Sequence, residues 1–161
     1  MTVSVREQFP ELWGQVAQLE YCESARWRDS RINIGTSGTT TPIHVELTHN
    51  LLFVLSGKKE LCLFEPRQTT QMYFAPWSGA PHISPVDPRH LDEKRYPRAL
   101  RLRPWRAIAG AGDAIFIPRG WWHAVKTHGP TLAVANWWAD GLSSLIPLAT
   151  DGYKRLRSVR S

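Results

Sequence analysis

The sequence predicts an all-β sandwich or barrel. From residue 31 onward, short apolar runs of strand length alternate with Gly, Pro and Asn, and little of the chain between them has helical spacing. No internal repeat of about 20–50 residues is present, which excludes solenoids and propellers. The predicted strands are Arg31–Gly35, Ile43–Leu47, Leu51–Ser56, Lys59–Phe64, Ala114–Pro118, His123–Thr127 and Leu132–Trp138.

Three other segments depart from this strand pattern. Apolar residues at helical spacing follow Pro10 and predict a short helix over Phe9–Glu20. Weaker periodicity over Leu142–Val159 predicts a C-terminal helix. The connection Glu65–Pro104 carries seven of the twelve prolines, and its length is typical either of a functional lid or binding loop or of a passive surface insertion.

Composition indicates a soluble globular protein. The 161 residues predict one domain over 1–161, and a content of 42% hydrophobic and 21% charged residues excludes disordered, collagen-like and coiled-coil chains. No apolar run approaches the roughly 20 residues that span a bilayer, and the charged residues near the start do not predict an apolar leader. Cys22 and Cys62 are far apart, which predicts free thiols and a cytoplasmic location.

The chain is basic. Its 20 basic and 14 acidic residues give a formal net charge of +6, which permits binding to nucleic acid or acidic substrates without demonstrating either. Part of the excess lies in the segment 154–160, which is either a solvated terminus or a binding arm.

Two histidines and a glutamate form the most informative pattern. His44 and Glu46 are two apart on a predicted strand, so their side chains share a face and suit a divalent metal. Alone, this pair is typical of a surface His beside a surface Glu, and His123 alone is typical of a core histidine. In one barrel, however, the three residues would form the facial triad of non-haem Fe(II) oxygenases.

The ordered motifs resemble the cupin-like JmjC family, which comprises 2-oxoglutarate-dependent hydroxylases related to the asparaginyl hydroxylase of hypoxia-inducible factor. The motifs are Thr41–Glu46, Asn50–Leu52, Gly57–Lys59, Gly112–Pro118, Trp121–His123 and Asn136–Trp138. The resemblance implies a double-stranded β-helix, the jelly roll of cupins, with a barrel core over about 31–140 and an insertion over 65–104. It also implies that His44, Glu46 and His123 bind iron. Glu46 stands where the related hydroxylases carry Asp and several JmjC demethylases carry Glu.

The resemblance also assigns a site for 2-oxoglutarate. It implies that Lys59 holds the distal carboxylate and that the Thr41 hydroxyl assists it. Strand alternation agrees, because Lys59 shares a face with apolar residues and a buried lysine is costly unless a counter-charge is bound. The alternative is that Lys58 and Lys59 form a solvated hairpin end.

Two asparagines complete the predicted site. The resemblance places Asn50 and Asn136 near the cofactor and the metal, where hydrogen bonds orient ligands. Each is alternatively a structural amide. The tyrosine that family members place on an earlier strand has one upstream candidate, Tyr21.

The predicted function is that of an Fe(II)- and 2-oxoglutarate-dependent dioxygenase that hydroxylates a substrate C–H bond. A protein side chain is the first substrate expected, with an RNA or tRNA base as the alternative. Aromatic residues of the insertion, Tyr73, Phe74 and Trp77, are predicted to contact such a macromolecule. Two rival functions remain open: a zinc or manganese cupin without redox chemistry, and a binding module without turnover. No membrane partner is expected, and open sheet edges favour a homodimer.

Overall fold

Antiparallel β-strands are the main regular secondary structure of the computed structural model, which describes residues 1–16, 25–75, 80 and 82–145. The all-β prediction is confirmed. The strands are β1 Thr2–Ser4, β2 Trp27–Gly35, β3 Thr40–Val45, β4 His49–Phe64, β5 Trp105–Gly110, β6 Ala114–Ile117 and β7 Trp122–Ala139. The sequence pattern predicted neither β1 nor β5.

The helices are short. α1 covers Val5–Gln8 and α2 covers Pro10–Val16, so the predicted helix begins near Pro10 and its remainder lies outside the described residues. Short 3-10 helices cover Pro66–Met72, Pro97–Arg101 and Gly141–Ser144. Most of the predicted C-terminal helix lies outside the described residues. Within the described part of the chain, no helix has the length and apolar character needed to cross a membrane.

Two long strands, β4 and β7, pair with each other and hold the barrel together. The second half of β7 pairs with β2 and the first half of β4 pairs with β6, which gives the first sheet section, β2–β7–β4–β6. The other halves pair with β3 and β5 and give the second sheet section, β3–β7–β4–β5. Four of the predicted strands are therefore halves of β4 and β7.

Gly57 marks the bend between the two halves of β4. It has a φ of +80°, and the register against β7 shifts on either side of Ser56. A Cβ at Gly57 would collide with the Pro130 carbonyl oxygen of β7. Glycine is required there by both the positive φ and the close approach of the two strands.

A core cluster lies between the two sections. It contains Leu52, Ala133 and Ala135 from the first section and Leu61 and Ala109 from the second. Because one cluster draws on both sections, their inner faces must face each other. The fold is the jelly roll that the resemblance implied.

The connection between β4 and β5 covers the outer face of the second section. Phe64 and Trp122 on that face form one buried cluster with Met72, Val86 and Ala99 of the connection. The described part of this segment therefore buries part of the core and does not lie only on the surface.

The same connection also extends the sheet. Ile83 bridges to His44 beyond the edge of β3, and the Ser84 N–H donates to the Ile43 carbonyl at 2.8 Å. Tyr73 of the connection packs edge-on against Tyr96, with 5.0 Å between ring centroids, and Phe74 is 40% exposed. Trp77 lies outside the described residues.

Candidate metal centre and anion cavity

The His44, Glu46 and His123 side chains meet at the end of β3. His44 lies opposite His123 in the β3–β7 register, and Glu46 follows the last residue of β3. Glu46 Oε1 lies 3.8 Å from His44 Nε2, and Glu46 Oε2 lies 4.0 Å from His123 Nε2. One donor atom from each residue lies within 4.8 Å of the others, a spacing that one metal ion can bridge.

A bulge in β3 sets the direction of these side chains. Thr41 lies opposite Val125 and His44 lies opposite His123, so two residues of β3, Pro42 and Ile43, face one residue of β7. Without the bulge, residues three apart would project from opposite faces. Pro42 suits the bulge because proline has no N–H to contribute to the ladder.

Backbone carbonyls orient both imidazole rings. Nδ1 of His44 lies 3.0 Å from the Pro42 carbonyl oxygen, and Nδ1 of His123 lies 3.2 Å from that of Trp121. A carbonyl only accepts, so each Nδ1 carries the proton and donates it. Both Nε2 atoms are thereby left as acceptors toward the cluster, as metal ligation requires.

The electrostatics of the cluster favour an anionic carboxylate and a neutral His123. Burial lowers the pKa of His123, and the neighbouring His44 lowers it further. Burial opposes ionisation of Glu46, but the nearby His44 and His123 imidazoles and the hydrogen bond from Trp137 outweigh it and lower the pKa of Glu46. For His44, burial is outweighed by Glu46 and the Pro42 carbonyl, so its pKa is raised.

Trp137 and Asn50 hold the carboxylate in place. Trp137 Nε1 donates to Glu46 Oε2 at 2.7 Å, and Asn50 Nδ2 donates to the same oxygen at 3.2 Å. The other carboxylate oxygen of Glu46, Oε1, faces His44. Among the described residues, the buried Asn50 Oδ1 has no hydrogen-bond partner.

Lys59 is a buried cation in the same cavity. Its residue is 6% exposed, and within the described part of the chain its ammonium group makes no hydrogen bond or ion pair. Burial lowers the pKa of Lys59. Neighbouring Lys58 is exposed. The structure therefore has the predicted strand alternation, and the alternative of a solvated hairpin end is wrong for Lys59.

The cavity that joins Lys59 to the cluster has a volume of about 290 Å³. Thr41 lies on its wall, and its hydroxyl makes no hydrogen bond within the described residues. The hydroxyl of Thr127, opposite Lys59 on β7, is 2.6 Å from the Thr36 carbonyl oxygen and 3.0 Å from that of Thr39, so it is already used. Apolar walls are provided by Leu52, Ile117, Val125 and Ala135.

Asn136 is the one predicted site residue that the structure does not bring to this cavity. It lies on the opposite face of β7, where its Oδ1 accepts a hydrogen bond from the buried Ser30 hydroxyl at 2.6 Å. It is therefore the structural amide of the two alternatives.

Trp137, next to Asn136, was missed as a cavity residue. β7 is continuous and Trp137 lies an even number of positions after His123, so both side chains face inward. Counting alternation along the whole strand from His123 would have found it. Tyr21 lies outside the described residues.

Fold and site together define a jelly-roll protein with a His–Glu–His cluster that can hold a metal ion. The family comparison agrees, because the cupin-like domain matches residues 2–143. The chain belongs to the cupin-like domain family, and the resemblance to its JmjC members is confirmed.

Three curated relatives illustrate the range of the family. Jumonji C domain-containing protein 5 of Drosophila melanogaster is 27% identical over 136 residues, which is 81% of this chain and 34% of that protein. Lysine-specific demethylase JMJ31 of Arabidopsis thaliana is 38% identical over 73% of this chain and 22% of that protein. The tRNA wybutosine-synthesizing protein 5 of Mus musculus is 28% identical over 83% of this chain and 41% of that protein. The chain thus spans between about a fifth and two fifths of these relatives.

Solved structures of low sequence identity also resemble this chain. Hydroquinone 1,2-dioxygenase from Sphingomonas sp. TTNP3 superposes with a TM-score of 0.48 and 14% identity, over 71% of this chain and 61% of that one. At this level the likeness carries no argument about function.

Proposed function

We propose that this chain is an Fe(II)- and 2-oxoglutarate-dependent oxygenase that hydroxylates a substrate C–H bond. The observation that carries the proposal is the unpartnered, buried Lys59 in the cavity of the His–Glu–His cluster. A buried cation without a counter-charge is costly, so an anionic ligand is expected beside it. A dicarboxylate reaching from Lys59 toward the cluster satisfies both ends of the cavity.

The donor set fits iron. Two imidazoles and one carboxylate on one face are the ligands of non-haem Fe(II) oxygenases, and they leave further coordination positions for other ligands. When bound, Fe(II) and 2-oxoglutarate would supply, together with dioxygen, the redox chemistry that hydroxylates the substrate.

The protein's own residues would bind 2-oxoglutarate, orient the metal ligands and exclude water from the cavity. The Lys59 ammonium donates to the distal carboxylate of 2-oxoglutarate, and the Thr41 hydroxyl assists from the cavity wall. Trp137 and Asn50 keep Glu46 in one orientation through its Oε2 atom. The apolar cavity walls lower the local dielectric, which strengthens the contacts made by Lys59.

The two rival functions make less use of these residues. A zinc or manganese cupin without redox chemistry requires the three donor residues but has no need of Lys59. A binding module without turnover requires neither the oriented Nε2 atoms nor the paired hydrogen bonds to Glu46.

Release of succinate on addition of Fe(II), 2-oxoglutarate and oxygen tests the reaction. Binding of 2-oxoglutarate by Lys59→Ala and Lys58→Ala, measured by calorimetry, tests the site with a matched control. One charge-assisted hydrogen bond contributes about 1.5–3 kcal/mol, so Lys59→Ala should weaken binding about 10- to 150-fold. Lys58→Ala should leave it unchanged. Absence of succinate, or equal losses in both variants, would contradict the proposal.

The names of the relatives cover two substrate classes. One is a lysine-specific demethylase and another a tRNA wybutosine-synthesizing protein. For this chain, both a protein side chain and an RNA base therefore remain as substrates of the proposed oxygenase, and the surface beside the cluster bears on the choice.

A further inference from the structure

An exposed tryptophan, Trp105, lies at the edge of the second sheet section, in line across the strands with His44 and His123 of the metal cluster. His44 lies opposite His123, His123 opposite Leu63, and Leu63 opposite Trp105 at the β5 edge. Neighbouring strands are about 4.8 Å apart, so the Trp105 backbone is about 10 Å from that of His123. Trp105 is 62% exposed, although large aromatic residues usually bury most of their surface.

Trp105 is one wall of a basic pocket, which we call the arginine pocket. Arg67, Arg101 and Arg103 also line it, together with the amide side chains of Gln68 and Gln71, and its volume is about 530 Å³. Glu65 is the one acidic residue in its lining, so the cations exceed the carboxylates.

The arginine pocket is held by hydrogen bonds to the fold. Gln68, 8% exposed, accepts from the Arg103 N–H at 2.7 Å and donates to the Arg103 carbonyl at 3.2 Å. Trp105 Nε1 lies 3.4 Å from Glu65 Oε1, which fixes one edge of the indole ring. Glu65 also pairs with Arg67. The Arg101 side chain is exposed and has no ion pair or hydrogen bond among the described residues.

We propose that the arginine pocket binds single-stranded nucleic acid; that such a strand supplies the substrate base rests on the proposed oxygenase function. Arginines bind phosphates through several donors, and an exposed indole face stacks on a base of any sequence. An acidic peptide would also meet the arginines, but it has no aromatic base to cover the indole. The net charge of +6 favours the same ligand.

Fluorescence anisotropy with labelled oligonucleotides of about twelve uridines or twelve thymidines tests the pocket without metal or 2-oxoglutarate. The variant Arg67→Ala/Arg101→Ala is compared with Lys58→Ala/Lys94→Ala, which removes equal charge from exposed sites elsewhere. Loss of two phosphate contacts should reduce the slope of log affinity against log salt by about 1.4 in the first variant. The slope of the control should stay near that of the wild type.

Trp105→Ala separates stacking from charge. It should weaken binding about tenfold at an unchanged salt slope, because a base–aromatic contact carries no charge. Ile108→Ala, which removes an exposed apolar side chain of the same strand, is its control and should bind as the wild type does. Preference for uridine or thymidine identifies RNA or DNA as the source of the strand.

Several results would overturn the proposal. The first is that the wild type binds no oligonucleotide, and the second is that both double variants change the salt slope equally. The third is that a poly-glutamate peptide binds as tightly as the oligonucleotide and loses as much affinity in Trp105→Ala. The proposed function fails separately: nucleic-acid binding without succinate release would refute the oxygenase and keep the pocket. Succinate release without nucleic-acid binding would refute the arginine pocket and keep the oxygenase.

Discussion

Replacing Lys59 by methionine should stabilise the ligand-free protein, although lysine at this position is proposed to be functional. The change keeps the length of the buried stem and removes an ammonium group that has no partner among the described residues. Burying a polar group without a compensating hydrogen bond costs about 1–3 kcal/mol in protein mutational data. Because the ammonium group borders the cavity, this amount is an upper limit, and we expect the free energy of unfolding near pH 7 to rise by up to about that amount in Lys59→Met.

The gain should depend on pH in one direction. Burial lowers the pKa of Lys59 in the folded state, whereas in the unfolded chain it stays near 10.4. Between these two values the unfolded state binds more protons, so the stability of the wild type rises with pH. The advantage of Lys59→Met is thus complete below the folded pKa and disappears as the pH approaches about 10.4.

Urea unfolding followed by tryptophan fluorescence, at about pH 7 and about pH 10, measures both effects. Exposed Lys58 provides the control, and Lys58→Met should change the stability little at either pH. Addition of 2-oxoglutarate to the metal-loaded proteins should stabilise the wild type and stabilise Lys59→Met much less. The reasoning is refuted if Lys59→Met destabilises the protein near pH 7, or if its advantage grows as the pH rises.

Three further substitutions test the cluster and the barrel. His123→Ala should remove one of three proposed ligands, and full iron occupancy by elemental analysis would contradict the assignment. Trp137→Phe should weaken metal affinity about tenfold or more in a competition titration, because the carboxylate loses its shortest hydrogen bond. Trp138→Phe, on the opposite face of β7, should leave the affinity unchanged. Gly57→Ala should destabilise the fold by more than about 1 kcal/mol, because the new Cβ meets the Pro130 carbonyl at a positive φ. Wild-type stability in a urea titration would show that the strand bend can adapt.

The fold could be predicted from local patterns, because short apolar runs divided by turn residues have few alternatives to a sandwich or barrel. The missing strands have physical reasons. Three-residue β1 is too short for an alternation pattern, and β5 places Trp105 and Ile108 in solvent, so its alternation does not mark a buried face. Continuity through the bend at Gly57 depends on contacts with β7 that no local pattern contains.

The candidate site was predicted best where a side chain differs from its neighbours in charge. Lys59 among apolar residues, and His44 with Glu46, could be placed by alternation within one short strand. Asn136 was misplaced because its face of β7 is also apolar, and only the continuous strand shows which apolar face is the inner one. The bulge that turns Thr41 and His44 to one side depends on pairing with β7, so alternation within β3 could not show it.

The continuity of β4 and β7 limits how this cavity can change in evolution or in the laboratory. β7 carries His123 near one end and Trp137 near the other, and β4 carries both Asn50 and Lys59. One added or deleted residue within either strand would turn every later side chain to the opposite face unless a new bulge absorbed it. Single side chains can therefore be exchanged to retune the ligand, whereas changes in chain length are confined to the connections between strands.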